Sequence, residues 1–450
     1  MKNVYKYKIN YTFKGGEDPY LRNAAWSDEP EKNLKEYILK LFSERENGNT
    51  FLKVSERFSD EKIEFVVNVL SELEDTIEEL LLEGNRPTDE GVKHIARLLM
   101  EKKAIKRFTL SGSGITGSGA KTLANSLRNN TNIETFELTH TSIGDEGAIE
   151  FSKILNTTNI KKLNFEFNNI GNEGIIELAK VLKDNKKITD LDLSINDFDF
   201  NAAPALAELI KANATITKLR LYANELGDVG IESLEKGFKK NNTLSLRILN
   251  IGKKENKTLK ILDIGKNNIN SQGAEAIANI LTANKSIEEL YIDINNISGS
   301  GAALLADALK SNNTLTKLSL WKNNIDDEGA SALGEMLKVN KSIKELNIDE
   351  NKISHEGGIR LAEGLSENNT ITNLSLSQNE IGDAGFSKLA EVLSKNKTIT
   401  SLSVSANKIT EIPSILTLNR SIEEFNYDSN DIRNLSGRAR NWLRKFNRFI

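Results

Sequence analysis

The sequence has 450 residues and a formal net charge of -4, because its 60 basic and 64 acidic side chains nearly balance. This balance gives no overall basic field that would attract nucleic acid, so we expect no nucleic-acid partner. The absence of cysteine excludes disulfides, thiolate metal sites and thiol nucleophiles. The opening stretch MKNVYKYKINYTF has no apolar signal core, and no apolar run reaches the roughly 18 residues of a membrane span. We therefore expect a cytoplasmic protein, or one secreted without a signal peptide.

The N-terminal region shows three successive patterns. Residues 5–13 alternate apolar and polar side chains, which predicts a half-buried strand, and residues 30–44 carry an apolar stripe at helical spacing. Residues 58–76 align with the segment that starts at Ile143 and indicate a degenerate repeat. Because the end of a repeat array must be covered, we interpret residues 1–75 as an N-terminal cap rather than a separate functional domain.

The central part of the chain repeats one phrase, which is clearest at residues 315–342. Its first half alternates, with Leu318 and Leu320 on one side of an extended segment, and this predicts a short strand. Its second half begins with acidic residues and continues with apolar residues at helical spacing, including Leu333 and Leu337, which predicts a helix. Neither half can bury its apolar face alone, so the unit must stack on copies of itself.

The leading aliphatic residue of the phrase recurs along the chain, at steps of 28 residues in most cases. The thirteen copies begin at Ile77, Ile105, Ile133, Ile160, Ile188, Ile216, Leu259, Ile287, Leu315, Ile343, Ile371, Ile399 and Ile422. The step from Ile216 to Leu259 is long, at 43 residues, and we place the irregularity at residues 244–258. These residues are expected to form either an extra strand without a full helix or a bulged loop.

The repeat reads LxxLxLxxNxI, and its helices begin with phrases such as GDEGA after Ile143 and GDAGF after Ile381. This pattern resembles the leucine-rich repeat, in particular the ribonuclease-inhibitor-like subclass. The resemblance implies an α/β fold: a right-handed solenoid, or horseshoe, with a concave parallel β-sheet and convex helices over residues 76–432. Because the chain has no cysteine, neither the cysteine-rich character of ribonuclease inhibitor nor the cysteine-dependent ubiquitin ligase of some bacterial effectors can be carried over.

The ninth position of the repeat is predicted to be structural. It holds asparagine in most copies, namely Asn85, Asn168, Asn196, Asn224, Asn267, Asn295, Asn323, Asn351, Asn379, Asn407 and Asn430. A column of asparagines can satisfy the backbone groups that are left unpaired where each strand turns away. Ser113 and Thr141 interrupt the column, so we expect looser turns in the second and third repeats.

The C-terminal segment, residues 433–450, departs from the repeat. The phrase SGRARNWLRKFNRFI carries basic residues without an acid, together with an apolar side that includes Trp442 and Phe446. We favour a capping helix that covers the last repeat with its basic face in solvent. The alternative is a basic amphipathic helix that contacts an anionic membrane or an acidic partner.

No catalytic motif is visible in the sequence. His94, His140 and His355 occupy different positions in different repeats and cannot converge on one metal ion in a regular array. There is no GxxxxGK[ST] phrase for phosphate binding. The acidic pairs at helix starts complement the helix dipole. We therefore expect a protein that is not an enzyme and that needs no cofactor or metal.

Binding is expected on the concave sheet, at the third, fifth and seventh positions of the repeat and at the eighth position on the rim. Tyrosine, tryptophan and arginine dominate the energetics of many interfaces, and here they cluster beside the irregular step. The candidate partner-binding residues are Lys162, Arg220, Tyr222, Tyr291, Asp293, Trp321, Lys322 and Asp349. The competing interpretation is that these aromatic rings only fill the inside of the curve.

We expect a monomeric scaffold that binds a protein partner between about Lys162 and Asp349. Its lysine- and asparagine-rich composition is compatible with a secreted bacterial effector that acts on host proteins. The alternative function is regulation of a small GTPase, because activating proteins of the Ran system share this type of fold, although no motif places their functional residues on this chain.

Overall fold

The chain divides into two compact units, Met1–Phe198 and Asp199–Ile450, which are called unit 1 and unit 2 below. The computed structural model describes residues 50–54, 59–73, 77–84, 86–128, 130–238, 256–433 and 435–446. The strand predicted at residues 5–13 and the helix predicted at residues 30–44 lie outside the described residues.

Unit 1 alternates strands and helices along the chain. Its strands are β1 (Thr50–Val54), β2 (Ile77–Glu83), β3 (Arg107–Ser111), β4 (Thr135–Thr139), β5 (Lys162–Asn164) and β6 (Asp190–Asp192). Its helices are α1 (Asp60–Glu72), α2 (Asp89–Glu101), α3 (Gly117–Leu127), α4 (Gly144–Ser152) and α5 (Asn172–Leu182). The strands pair in parallel and in chain order. The sequence analysis did not predict β1, which precedes α1 and gives the degenerate repeat its strand.

Unit 2 continues the same alternation. Its strands are β7 (Lys218–Arg220), β8 (Ile261–Asp263), β9 (Glu289–Tyr291), β10 (Lys317–Ser319), β11 (Glu345–Asn347), β12 (Asn373–Ser375), β13 (Ser401–Ser403) and β14 (Glu424–Asn426). Its α-helices are α6 (Ala203–Ala212), α7 (Gly227–Phe238), α8 (Ser271–Ala283), α9 (Ser298–Ser311), α10 (Asp327–Val339), α11 (His355–Ser366), α12 (Gly382–Leu393) and α13 (Gly437–Leu443). Two 3-10 helices span Ser414–Leu418 and Arg444–Phe446. No described helix has both the length and the apolar character that crossing a membrane would require.

The strands of unit 2 also pair in parallel and in chain order. The pairing persists across the long step, because β7 lies directly beside β8 with Leu219 opposite Leu262. Residues 239–255 lie outside the described residues, so the choice between an extra strand and a loop at residues 244–258 stays a prediction.

The predicted division of the repeats into a strand and a helix is confirmed, except that the repeat that begins at Ile399 has the 3-10 helix Ser414–Leu418 in place of an α-helix. In the repeat of β10 and α10, Leu318 and Leu320 are fully buried from the strand side. Leu333 and Leu337 are fully buried from the helix side. The core of each unit therefore lies between its sheet and its helices, as expected for an α/β repeat fold. The opposite side of the sheet, called the sheet face below, carries the third, fifth and seventh residues of each repeat.

The asparagine column has the predicted structural role. The side chain of Asn351 donates to the carbonyl of Leu320 at 3.0 Å, and its Oδ1 accepts from the backbone N–H groups of Asn323 and Ile325, each at 2.9 Å. Each such residue thus satisfies the turn of the preceding repeat. The expectation of a looser turn is wrong at Thr141, which is buried and donates its hydroxyl to Asn168.

A second asparagine column, at the C-terminal ends of the helices, escaped the sequence analysis. The side chain of Asn340 donates to the carbonyls of Leu309 and Asn312 at 2.7 and 2.9 Å, and its Oδ1 accepts from the backbone N–H of Ile343 at 2.9 Å. Nine other copies of the repeat also have an asparagine three residues before the leading aliphatic, and it makes the same type of contact: Asn130, Asn185, Asn213, Asn256, Asn284, Asn312, Asn368, Asn396 and Asn419. They join the end of each helix to the next strand.

Aspartates at the helix starts link each repeat to its successor. Asp327 accepts from the backbone N–H of Ser354 at 2.8 Å and of Gly357 at 3.0 Å, both at the start of α11. Asp383 accepts from the backbone N–H of Thr410 at 2.7 Å, in the segment that precedes the 3-10 helix Ser414–Leu418. The corresponding acceptors at helix starts are Asp60, Asp89, Asp145 and Asp228. These acids therefore cap the next helix, in addition to the predicted effect on the dipole of their own helix.

The helix α13 packs on the last strand through aromatic rings. The ring of Trp442 lies 5.3 Å from that of Phe425 and 4.9 Å from that of Phe446, and its Nε1 donates to the carbonyl of Asn419 at 3.4 Å. Tyr427 stacks on Phe425 at 5.3 Å. Phe425, Tyr427, Trp442 and Phe446 are called the C-terminal cluster below. These are contacts that a cap would make, although the assignment of 433–450 as a capping domain stays a prediction.

Candidate functional site

Seven of the eight candidate residues lie in unit 2, on strands β7 to β11 or directly after them. They occupy the predicted fifth, seventh and eighth positions of their repeats. The eighth candidate, Lys162, belongs to β5 of unit 1 and has its own surroundings, described below. The residues Arg220, Tyr222, Tyr291, Trp321 and Lys322 are called the sheet-face patch.

Trp321 is half-buried, and its indole is held by an acid of the next repeat. Its Nε1 donates to Glu350 Oε2 at 3.1 Å, and the ammonium group of Lys322 lies 2.5 Å from the other oxygen of the same carboxylate. The backbone N–H of Trp321 donates to Asp293 at 2.9 Å. The polar atoms of this tryptophan are therefore satisfied within the protein, and the accessible part of its ring can be buried by a partner without leaving its N–H unpaired.

Tyr291 lies on β9, directly opposite Ser319 of β10 in the register. Its hydroxyl donates to Glu289 at 2.8 Å, and the Lys317 ammonium lies 5.5 Å from its ring centroid. Burial and the hydrogen bond to Glu289 raise the pKa of the Tyr291 hydroxyl. Trp321 follows Ser319 by two residues, so the two rings share the sheet face as predicted. No ring-to-ring contact joins them among the described residues, since each is directed to a different glutamate.

Tyr222 extends over the neighbouring strand. A Cβ atom at Gly265 would lie 2.8 Å from Cδ2 of the Tyr222 ring, so the missing side chain of this glycine provides the space for the ring. Burial and the negative charges of Asp263 and Asp293 raise the pKa of the Tyr222 hydroxyl. Arg220 lies directly opposite Asp263 in the register. The glycine is thus part of the site, although the sequence analysis did not select it.

Two half-buried aspartates lie at the seventh position on both sides of Trp321. Asp293 accepts from the hydroxyl of Ser319 at 2.5 Å, and Asp349 accepts from the hydroxyl of Ser375 at 2.8 Å and the backbone N–H of Ser377 at 2.5 Å. Burial raises the pKa of both carboxyl groups, and the charge of Asp293 raises that of Asp349 further. The sheet-face patch is therefore accompanied by two aspartates, Asp293 and Asp349, which accept hydrogen bonds from uncharged hydroxyl and backbone N–H groups.

Lys162 takes part in an ion-pair network inside unit 1. Its ammonium group lies 2.5 Å from Glu137, which also accepts from Arg107 at 3.1 Å and from the Thr109 hydroxyl at 2.7 Å. Burial opposes the ionisation of Glu137, but the hydrogen bonds from Lys162 and Thr109 outweigh it and hold the pKa of this carboxyl below its usual value. Unlike the patch residues of unit 2, Lys162 serves to neutralise a buried acid.

A second exposed aromatic pair lies on the rim of unit 1. The rings of His140 and Phe167, which the sequence places at the eighth position, stack with their centroids 4.8 Å apart. Phe167 is 47% exposed. Both residues have left-handed backbone conformations, with φ of 53° and 56°, as do the eighth residues of the later repeats. The turn geometry therefore directs this position to the rim.

Residues outside the eight candidates also shape the patch. Glu289 and Lys317 come from the third position of their strands and contact Tyr291, while Glu350 anchors Trp321. All three lie at outward positions that the repeat pattern identifies, but only the structure shows which neighbours they select. Among the described residues no group of three or more histidine, cysteine, aspartate or glutamate side chains could hold a metal ion.

Comparison with known proteins finds one matching family model and similar solved structures. The family model described as Leucine Rich repeat matches residues 129–152, 156–179, 212–234, 255–278, 311–334, 339–362 and 367–390. A solved structure of the leiomodin-1 actin-binding site 2 is similar over 29% of this chain and 75% of its own length, with 28% identity and a TM-score of 0.26. An internalin (inlF) from Listeria monocytogenes strain 4b F2365 is similar over 83% of this chain and 94% of its own, with 17% identity and a TM-score of 0.47.

A comparison with curated protein sequences finds no match. The seven matched segments fall in both units and in phase with the strands and helices described above. Seven segments of the chain, in both units, are therefore leucine-rich repeats.

Proposed function

We propose that this protein is a non-enzymatic interaction scaffold that binds a protein partner on the sheet face of unit 2, with Trp321 as the central anchor. The observation that carries the proposal is the state of Trp321: it stands half-exposed at an outward position, and its indole N–H is already bound to Glu350. A large ring with a satisfied polar atom offers apolar area at little desolvation cost.

The surroundings of Trp321 support the same proposal. Lys322 is exposed beside it, and Tyr291 and Tyr222 add two half-exposed rings on the preceding strands. Farther along the sheet face, the outward positions of β12 and β13 hold only small polar side chains: Asn373, Ser375, Ser401 and Ser403. Large amphipathic side chains are thus concentrated on one part of unit 2, which is the composition of an interface centre.

The Trp321→Ala variant tests the proposal. Burial of such a ring at an interface centre is worth about 2 kcal/mol or more, so we expect the variant to bind the partner about thirty-fold more weakly. In a pull-down experiment, the proteins retained by the intact chain are compared with those retained by the Trp321→Ala variant. For each protein that only the intact chain retains, the affinity for both chains is then measured. Phe167→Ala is the matched control, because it removes an exposed ring from unit 1 and should leave this affinity unchanged.

Two outcomes would contradict the proposal. Equal binding by Trp321→Ala and the intact chain would remove Trp321 from the interface. The second outcome is that the protein accelerates GTP hydrolysis by a small GTPase and that the Trp321→Ala variant does so equally well. The alternative function of a GTPase regulator would then replace the proposed scaffold function. That the partner is a host protein, as expected for a secreted bacterial effector, stays a prediction.

A further inference from the structure

The C-terminal end of unit 2 carries a group of unneutralised arginines. Arg420, Arg438, Arg440 and Arg444 are all exposed, and none of the four forms an ion pair or a side-chain hydrogen bond with another described residue. For Arg438, Arg440 and Arg444 the reason is local composition, because the segment from Ser436 to Phe446 contains no acidic residue. These four arginines are called the basic end.

Other helices of unit 2 pair a basic surface side chain with an acidic one. On the four helices α9 to α12, a basic side chain pairs with an acid three residues away. The pairs are Lys310 with Asp307 at 3.2 Å, Lys338 with Glu335 at 2.6 Å, Arg360 with Glu363 at 3.1 Å and Lys388 with Glu391 at 2.9 Å. The helix α13 therefore differs from α9 to α12, because its arginines have no acidic side chain with which to pair in the part of the chain that the structure describes.

Exposed aliphatic side chains lie beside the basic end. Leu418 and Arg420 flank Asn419, whose carbonyl accepts from the Trp442 indole at 3.4 Å, so both lie next to α13. Leu418 is 57% exposed and Ile415, in the same 3-10 helix, is 38% exposed. The buried rings of Phe425 and Trp442 hold α13 against the last strand, so the arginines and the aliphatic residues lie at the same end of unit 2.

Lys445 lies close enough to Arg420 to be affected by its charge, and its ammonium group already has partners. Its ammonium group donates to the Ile422 carbonyl at 2.8 Å and lies 4.9 Å from the Trp442 ring centroid. Burial and the nearby charge of Arg420 lower the pKa of Lys445, while Glu423 is the one acid that acts on it in the opposite direction. The available charge of the surface therefore comes from the four arginines.

We propose that the basic end docks on an anionic lipid surface, with Leu418 and Ile415 entering the headgroup region. Charge complementarity identifies the partner as anionic. A fluid layer of anionic headgroups fits this site better than a folded acidic protein does, because no described contact fixes the arginines in a defined geometry, whereas specific protein sites hold their charged groups in position. The exposed aliphatic residues add an apolar contribution that binding to a purely ionic partner would not use.

Binding to lipid vesicles tests the proposal with the full chain. The intact protein should bind vesicles of equal parts phosphatidylserine and phosphatidylcholine, bind them less as salt is raised, and fail to bind vesicles of phosphatidylcholine alone. Each basic residue near an anionic membrane contributes about a factor of five, so the double variant Arg438→Ala and Arg444→Ala should bind about thirty-fold more weakly at low salt.

The matched control is the double variant Arg128→Ala and Arg360→Ala, which removes the same charge from helices elsewhere and should bind the vesicles as the intact chain does. Trp321→Ala should also bind them normally, which separates this inference from the proposed function. Absence of binding to the phosphatidylserine vesicles, or equal binding by the two double variants, would overturn the proposal. So would binding to polyglutamate without binding to vesicles, which would identify an acidic protein as the partner.

Discussion

The sheet-face patch and the C-terminal cluster use aromatic rings in opposite ways within the same unit. In the cluster, Trp442 is only 7% exposed and its ring lies within 5.3 Å of two other ring centroids. In the patch, Trp321 is half-buried, and its partners are the carboxylate of Glu350 and a neighbouring lysine, with no aromatic ring in contact among the described residues.

This difference separates rings that stabilise the fold from rings that remain available for binding. Rings that contact one another exclude water and contribute to folding, with an additional favourable term from their mutual geometry. Rings that are directed to acids and spaced along the sheet keep accessible area, and their removal costs the fold little. The number of aromatic residues is similar in the two regions, so the distinction lies in what each ring contacts.

The largest expected effect is on stability, when the tryptophan of the cluster is truncated. Trp442→Ala removes a nearly buried ring and should lower the free energy of unfolding of the C-terminal repeats by about 3 to 5 kcal/mol. Thermal and urea denaturation of the full chain measure this loss. Trp321→Ala is the comparison and should cost less than about 1 kcal/mol. Equal losses in the two variants would abolish the distinction between the two regions.

A smaller effect is expected when the space beneath the Tyr222 ring is filled. In Gly265→Ala the new Cβ would lie 2.8 Å from Cδ2 of that ring and 3.1 Å from the Asp293 carbonyl oxygen, so the ring must move. We expect a loss of about 1 to 2 kcal/mol in stability and weaker binding of the partner. Both are measured in the Tyr222→Ala background as well, where the substitution should cost less. Equal cost in both backgrounds would show that the ring does not occupy this space.

The smallest expected effect concerns the pH dependence of the contribution that Asp349 makes to stability. The raised pKa of Asp349 means that its contribution to stability is fully present below the usual aspartate pKa and is lost as pH rises through its value in the folded protein. Asp349→Asn should therefore raise the melting temperature slightly at neutral pH and have little effect in acid.

Asp383 provides the opposite control. Burial opposes its ionisation, but hydrogen bonds from Thr410 and Glu411 hold the pKa of Asp383 below its usual value. Its contribution is therefore present above the usual aspartate pKa and lost as pH falls through the folded value, so Asp383→Asn should lower the melting temperature at neutral pH. If the two variants shifted the melting temperature in the same direction, the electrostatic contrast between these aspartates would be wrong.

The repeat pattern explains how much the sequence alone could predict. Strands, helices and the asparagine column follow from residues that recur in phase, such as Asn323 and Asn351, because each copy faces the same neighbours. The bond between Trp321 and Glu350 is different, since it joins two residues that have no equivalents in the other repeats. Recurrence cannot predict such a pair, and neither could it reveal that Gly265 leaves room for Tyr222.

The second asparagine column was predictable but was overlooked. It occurs in ten of the thirteen copies, three residues before the leading aliphatic, and Asn312 and Asn340 illustrate its position. The repeat signature marks only the polar residue of the turn after the strand, so it does not point to the asparagines at the helix ends. The end of the helix poses the same physical problem of unpaired backbone groups and has the same solution.

The aspartates that cap successive helices give each unit a direction. When one repeat opens, the helix that follows it loses an acceptor such as Asp327 and with it about 1 kcal/mol of capping, whereas the helix before it keeps its own cap. The repeat before it loses a different kind of contact, because the asparagine of the opened repeat no longer satisfies the preceding turn. A repeat array built in this way is polar: loss of one repeat removes a helix cap on its C-terminal side and turn hydrogen bonds on its N-terminal side, although every repeat is made of the same parts.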